Sequence, residues 1–120
     1  MKQSDLDPKE LPVSTLAYIG DAVMELFFRV EFLSSRRVSA IHEKVKENTS
    51  KHGQARLLDT VWEILSDEEK GIVKRGMNSK TAKKRGNDLL YRKSTGLETL
   101  IGYLYLKGDL RRIEELLTPR

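Results

Sequence analysis

Hydrophobic residues recur at helical spacing along most of the chain, and no segment alternates polar and apolar residues as a strand does. The first apolar segment follows Pro12 and predicts a helix from Val13 to about Leu33. Ser14 or Thr15 is its expected N-cap. Apolar residues cover nearly every face of this helix, so we expect it to be buried at the centre of the fold. The pattern predicts an all-α protein.

The middle of the chain predicts three further helices. Residues 38–65 contain two amphipathic segments that meet at a bend near residues 48–53. The sequence SDEE then has the pattern of a capping box, in which Ser66 caps a helix and Glu69 reaches back to the cap residue. This box predicts a short helix that ends near Met77.

The last third of the chain begins with a polar, basic segment. Residues 78–93 include a Gly-Asn turn signal and predict mostly loop. A strongly apolar helix is expected over residues 95–107, ending at Gly108. Asp109 is the expected cap of a final amphipathic helix, whose apolar face consists of Leu110, Ile113, Leu116 and Leu117.

Length and composition restrict the class of protein. A chain of 120 residues predicts a single domain over residues 1–120, with residues 1–12 as a flexible or loosely packed segment. The chain has no cysteine, which excludes disulfides and cysteine-ligated zinc. Arg29 and Glu31 interrupt the longest apolar run, and the N-terminus lacks the apolar region of a signal peptide. We therefore expect a cytoplasmic protein with no membrane segment.

Positive charge is concentrated in one part of the sequence. The net charge is +4, yet residues 74–93 contain eight lysines and arginines against one acid, Asp88. Such a segment is typical of a surface that binds a polyanion, often nucleic acid. A solvated, mobile loop explains the same charge equally well.

Asp21 is the first candidate for chemistry, because it follows Gly20 inside an otherwise apolar run. Burying an unpaired carboxylate costs several kcal/mol, so a buried Asp21 needs a partner, a metal ion or a proton. The glycine costs roughly 1 kcal/mol relative to alanine within a helix, which indicates close packing or function. The alternative is that Asp21 lies on the solvated side of a half-buried helix, on the same face as Glu25.

Glu98 lies in a similar apolar setting near the other end of the chain. Thr95 and Glu98 have the spacing of a capping box, which explains the glutamate without any function. If Ser94 is the cap instead, Glu98 is free to point outward from the first turn. The residues by themselves favour the helix cap.

Four short motifs, taken together, resemble a known family. "LAYIGDAVMEL" (16–26) is similar to the signature helix of the ribonuclease III catalytic domain, and "ETLIGYLYLKGD" (98–109) is similar to its second acidic helix. "KRGMNSK" (74–80) and "YRKST" (91–95) resemble the short bacterial Mini-III ribonucleases. The resemblance covers about residues 13–118 and implies the helical bundle of the ribonuclease III endonuclease domain.

The resemblance also implies an activity. Members of this family are Mg²⁺-dependent endoribonucleases for double-stranded RNA, in which Mn²⁺ can substitute. They are symmetric homodimers in which each catalytic centre cuts one strand. Mini-III enzymes are associated with maturation of the large-subunit (23S) ribosomal RNA precursor, and a ribosomal-protein helper is a further partner that the resemblance leaves open.

Site residues follow from matching this chain to the family motifs. Asp21 and Glu98 match the two signature acids, and the resemblance assigns both to catalysis and metal binding. The basic motifs assign RNA binding to Arg75, Asn78, Lys80, Arg92 and Lys93.

Two departures from the family pattern leave a second interpretation open. Larger ribonuclease III enzymes carry further acids at the positions of Ala17 and Thr95, so this site is poorer in carboxylates. A non-catalytic RNA-binding or ribosome-associated adaptor on the same fold is therefore the alternative. Retention of Asp21 and Glu98 favours the enzyme, because Mg²⁺ takes only one or two protein carboxylates.

Overall fold

The computed structural model describes residues 6–119 of the chain, and these residues form helices and connecting turns without any strand. This confirms the predicted all-α class. No helix in this described part is long and apolar enough to cross a lipid bilayer. The α-helices are α1 (Val13–Glu31), α2 (Val38–Thr49), α3 (Lys51–Val61), α4 (Asp67–Met77), α5 (Lys80–Lys83), α6 (Leu89–Lys107) and α7 (Leu110–Leu117).

Helix α6 is the centre of the bundle. It packs against α1, α3 and α4, with α5 and α7 at its two ends. Its buried positions mix large and small residues, and the large ones belong to the main hydrophobic core. Leu97, Leu100 and Ile101 are completely buried there. The first helix, predicted to be central, packs along α6 but keeps one face exposed to solvent.

Short 3₁₀ segments and capping residues fix most of the helix ends. Ser50 separates α2 from α3 within the predicted bend, and its hydroxyl accepts a hydrogen bond from the Gly53 N–H. The capping box at Ser66 and Glu69 forms as predicted, with both reciprocal hydrogen bonds present. Gly108 ends α6, as predicted. Its φ of 87° lies in the left-handed region that favours glycine.

Asp109 caps α7 as predicted, since its carboxylate accepts from the Arg112 N–H. The predicted caps of α1 are wrong, because Pro12 is the N-cap and makes no side-chain capping bond. Proline already sets the backbone for helix entry, so no side-chain acceptor is required for α1 to begin at Val13.

The predicted loop over residues 78–93 is wrong in two places. A short helix, α5, occupies its first part, and α6 begins at Leu89 rather than near residue 95. Asp88 is the reason for the early start, because its carboxylate accepts hydrogen bonds from the N–H groups of Leu90 and Tyr91. The polar and basic residues that precede Asp88 concealed the start of this helix.

Residues 6–12 are held against the bundle at several points. Pro8–Glu10 form a 3₁₀ turn, and Lys9 makes an ion pair of 2.9 Å with Glu68 on α4. Leu11 packs against the hydrophobic core. This part of the segment predicted as loosely packed therefore has specific contacts, while residues 1–5 lie outside the described residues.

Candidate active site

The backbones of α1 and α6 touch where two glycines face the opposite helix. A Cβ atom on Gly20 would lie 1.8 Å from the carbonyl oxygen of Glu98. A Cβ atom on Gly102 would lie 1.9 Å from the carbonyl oxygen of Leu16. No side chain fits at either position, so the glycine before Asp21 is required by the helix crossing itself.

This crossing brings the two signature acids together. Asp21 follows the contact glycine on α1 and is exposed, whereas Glu98 is half-buried on α6 with its carboxyl group beside that of Asp21. Burial, and after it the negative charge of Asp21, raises the pKa of Glu98 to about 8. Two carboxyl groups that share such a site favour either a bound proton or a bound cation.

The chemistry of this pair fits a hard divalent cation. Carboxylate oxygens are the ligands that Mg²⁺ prefers, and Mg²⁺ keeps several of its waters while taking one or two carboxylates. Within residues 6–119, no set of three acidic, histidine or cysteine side chains is close enough to hold a metal. Ala17 and Thr95, at the positions of the additional acids, are both buried, and the Thr95 hydroxyl donates to the Tyr91 carbonyl.

Glu98 is not a helix cap, so the interpretation that the residues by themselves favoured is wrong. α6 begins at Leu89, which places Glu98 in the middle of the helix with Ser94 and Thr95 one turn earlier. Its backbone is already part of the helical hydrogen-bond ladder, and capping cannot explain the carboxylate. The side chain instead lies beside Asp21.

Two polar residues near Glu98 had not been predicted. Gln54 on α3 is only 1 % exposed, and its side-chain Nε2 lies 3.5 Å from Glu98 Oε2. The buried hydroxyl of Ser94 donates a hydrogen bond to Gln54 Oε1. Gln54 is 44 residues from Glu98 in sequence, so no local pattern connects them, although a glutamine among buried positions of an amphipathic helix is a signal of specific hydrogen bonding.

The residues predicted to bind RNA lie at the end of α4, the start of α5 and the first turns of α6. Lys80 is exposed at the start of α5. The Arg75 guanidinium donates to the carbonyls of Lys9 and Leu11, at 3.1 and 2.6 Å. Arg75 therefore fastens the N-terminal segment to α4, whatever else it binds.

Two other basic residues of this set also have internal partners. Arg92 donates from Nε to the Met77 carbonyl at 2.9 Å and from Nη2 to Asn78 Oδ1 at 2.8 Å. Lys93 forms a 2.8 Å ion pair with Asp59 on α3. The Arg92 contacts hold the end of α4 against α6, and the Lys93 ion pair holds α3 against α6. RNA binding by these residues stays a prediction.

Comparison with known proteins identifies the family. The model of the Ribonuclease III domain matches residues 14–109. A Mini-ribonuclease 3 from Kosmotoga olearia is 44 % identical over 117 residues, covering 96 % of this chain and 81 % of the relative. Another from Synechocystis sp. is 43 % identical, covering 96 % and 85 %. The chain belongs to the Mini-III branch of the ribonuclease III family.

The fold agrees with this membership. A crystal structure of a protein from Fusobacterium nucleatum superposes with a TM-score of 0.80 at 28 % identity, covering 92 % of each chain. As a Mini-III ribonuclease, the protein is an endoribonuclease of the ribonuclease III type, which supports the enzyme over the adaptor alternative. The individual roles of Asp21, Glu98 and the basic residues stay predictions.

Proposed function

We propose that this Mini-III ribonuclease cleaves double-stranded RNA at a Mg²⁺-dependent centre formed by Asp21 and Glu98, and that Mn²⁺ can replace Mg²⁺ there. The observation that carries the proposal is the contact between these two carboxyl groups at the crossing of α1 and α6. The family acts on double-stranded RNA and typically forms dimers.

The two acids have complementary settings for this chemistry. When bound, a divalent cation supplies an activated water and charge stabilisation for phosphodiester hydrolysis. Glu98 is held by the bundle on its buried side, while Asp21 is exposed and faces solvent. The exposed side leaves space for an RNA phosphate beside the carboxylates. The protein therefore contributes two oxygen ligands in a fixed geometry and leaves one side open to substrate.

Duplex binding is proposed for the basic residues of α4, α5 and the first turns of α6. A-form RNA is recognised through phosphates and 2′-hydroxyl groups, which suits lysine and arginine side chains on short helices and turns. The contacts within the protein fix Arg75, Arg92 and Lys93 in place, while Lys80 extends into solvent. The set of proposed RNA-binding residues is Arg75, Asn78, Lys80, Arg92 and Lys93.

A homodimer is supported by the outer face of α1. Tyr18, Leu26 and Val30 follow each other at multiples of four residues and are 78 %, 65 % and 56 % exposed. A contiguous apolar stripe of this kind marks an interaction surface. Asp21 lies one turn from Tyr18 on the same helix, so a second copy seated on the stripe would bring its own acids near the first pair.

The deciding experiment is cleavage of a long RNA duplex by the purified protein, in Mg²⁺ or in EDTA. Asp21→Asn should reduce the rate roughly 1,000-fold, because several kcal/mol of charge stabilisation are lost. Glu25→Gln, on the same helix and paired with Arg29 at 3.6 Å, is the matched control and should stay near the wild-type rate. Cleavage that persists in EDTA or in Asp21→Asn would contradict the proposal.

The physiological substrate is proposed to be the 23S ribosomal RNA precursor, which places the enzyme in the cytoplasm. A transcript that contains the paired ends of this precursor tests the assignment against an unrelated duplex of equal length. Specific cutting of the naked transcript would show that no ribosomal-protein helper is required. Equal cutting of both duplexes would contradict a dedicated role in ribosomal RNA maturation.

A further inference from the structure

Gln54 is a fully buried amide whose two polar ends both face α6. Its Oε1 accepts a hydrogen bond from the Ser94 hydroxyl, and its Nε2 lies 3.5 Å from Glu98 Oε2, a long distance for a hydrogen bond. Ser94 and Glu98 are four residues apart and therefore lie on one face of α6. A buried amide without hydrogen-bond partners would lower stability. The contacts with Ser94 and Glu98 explain how a polar side chain is accommodated at this buried position.

The start of α3 is built to place this amide. Ser50 caps the helix by accepting from the Gly53 N–H at 3.1 Å. A Cβ atom on Gly53 would lie 2.0 Å from the Glu47 carbonyl oxygen, so α2 and α3 are in backbone contact directly before Gln54. The side chain thus begins from a backbone position that is fixed on both sides, and its reach toward Glu98 is set by the fold.

The contacts with Ser94 and with Glu98 together determine the orientation of the amide. A serine hydroxyl has one proton to donate, and here it goes to Gln54 Oε1. The amide nitrogen is then the end directed at Glu98, where it is a donor to a carboxylate oxygen. The opposite orientation would place the amide oxygen against the carboxylate. Ser94 thus donates to Gln54, and Gln54 is directed as a donor at Glu98, so the chain of contacts ends on a carboxylate oxygen proposed to bind the metal.

We propose that Gln54, oriented by Ser94, is a positioning residue that holds the Glu98 carboxylate in the orientation needed to share a divalent cation with Asp21. The inference rests on the proposed function of the two acids. It assigns Gln54 no contact with RNA and no role in proton transfer. Residues that orient a metal-binding side chain typically change metal affinity or activity by about 10- to 100-fold when they are replaced.

The test compares Gln54→Met with the wild type in the full-length protein. Methionine keeps the length and packing of the side chain but makes neither hydrogen bond. We expect the Mg²⁺ concentration for half-maximal cleavage to rise about 10-fold, and the Mg²⁺-induced rise in Tm to move to higher Mg²⁺ by the same factor. Duplex binding in EDTA should stay unchanged, because the RNA-binding surface is intact.

Thr99→Val is the matched control, since it removes a hydroxyl that is equally buried in α6 and donates to the Thr95 carbonyl. It should lower Tm without moving the Mg²⁺ dependence. Ser94→Ala is the second variant, in case Gln54→Met does not fold, and should raise the half-maximal Mg²⁺ concentration by less than the ~10-fold expected for Gln54→Met. An Mg²⁺ dependence that neither Gln54→Met nor Ser94→Ala shifts would overturn the inference.

Two outcomes separate this inference from the proposed function. If the wild type neither cleaves duplex RNA nor gains Tm with Mg²⁺, the metal centre itself is wrong. If the wild type does both and the folded Gln54 and Ser94 variants match it, only the positioning role is wrong.

Discussion

Two glutamates sit within the helical bundle in opposite electrostatic settings. Glu69, at the start of α4, accepts from Arg112 through both carboxylate oxygens, at 2.8 and 2.9 Å, and these hydrogen bonds lower its pKa. Glu98 has Asp21 as its neighbour, and burial together with that negative charge raises its pKa to about 8. A buried acid beside a cation supports the fold, whereas a buried acid beside another acid weakens the fold until something from outside binds.

The largest effect is expected at the contact that forces the two acids together. Gly20→Ala should lower the free energy of unfolding by more than about 3 kcal/mol, because the new methyl group would overlap the Glu98 carbonyl. Gly71→Ala is the control, as this helical glycine has no atom within 4 Å of the added Cβ position. It should stabilise by up to about 1 kcal/mol. Equal effects in urea unfolding would contradict the close approach.

The second-largest effect is expected when the ion pair between Glu69 and Arg112 is broken. Arg112→Met should destabilise by about 3 kcal/mol, because Glu69 would be left buried without its cation and the Ile64 carbonyl would lose its donor. Lys107→Met removes a cation from an exposed pair with Glu68 at 3.8 Å and should cost under about 1 kcal/mol. A loss at Arg112 as small as that at Lys107 would show that the Glu69 pair contributes little.

The two glutamates should also differ in how they respond to pH in EDTA. The pKa of Glu98 is raised from 4.5 to about 8, so protonation favours the fold and stability is lost as pH rises across this interval. Glu98→Gln should remove that loss and raise stability at pH 8 by about 1–2 kcal/mol. Glu69 has a lowered pKa, so its contribution is present above pH 4.5 and is lost on further acidification.

One series of thermal unfolding experiments between about pH 3 and pH 9 measures how stability changes with pH for both glutamates. Glu69→Gln should flatten the acid side of the curve, and Glu98→Gln should flatten the alkaline side. If the stability curve of Glu98→Gln runs parallel to that of the wild type above about pH 5, the pKa of Glu98 is not raised by its surroundings.

The smallest effect on the protein itself is expected for charge removal at the proposed RNA surface. The double variant Lys80→Ala/Lys93→Ala should weaken duplex binding and reduce the slope of log affinity against log salt by about one for each phosphate that is no longer neutralised. Lys107→Ala, at the far end of α6, should leave the slope unchanged. An unaltered slope in the double variant would place the RNA elsewhere.

Local sequence signals predicted much of the fold. The Ser66 capping box, the Gly108 terminus and the Asp109 cap involve residues within a few positions of each other, and all three formed as expected. The start of α6 was missed, because the residues before its cap Asp88 are polar and include a Gly-Asn turn signal, so the whole segment resembled a loop. The proximity of Asp21 and Glu98 was inferred from family resemblance, since 77 residues separate them.

Contacts between distant segments could not be predicted. Gln54 reaches Glu98, Arg75 reaches the carbonyl of Lys9, and Lys93 reaches Asp59 only because the helices cross as they do. For the basic residues, the sequence indicates charge but not whether that charge is already engaged. A cation in a charge-rich segment can bind another helix as readily as a phosphate.

The close approach of α1 and α6 has a consequence for how much this enzyme can change. Gly20 and Gly102 admit one amino acid each, so the carboxylate geometry that depends on them has almost no mutational freedom. Residues 83–88, by contrast, are all exposed. Sequence change can therefore accumulate in that turn, apart from the capping residue Asp88, while the crossing of α1 and α6 and the placement of its two acids stay the same.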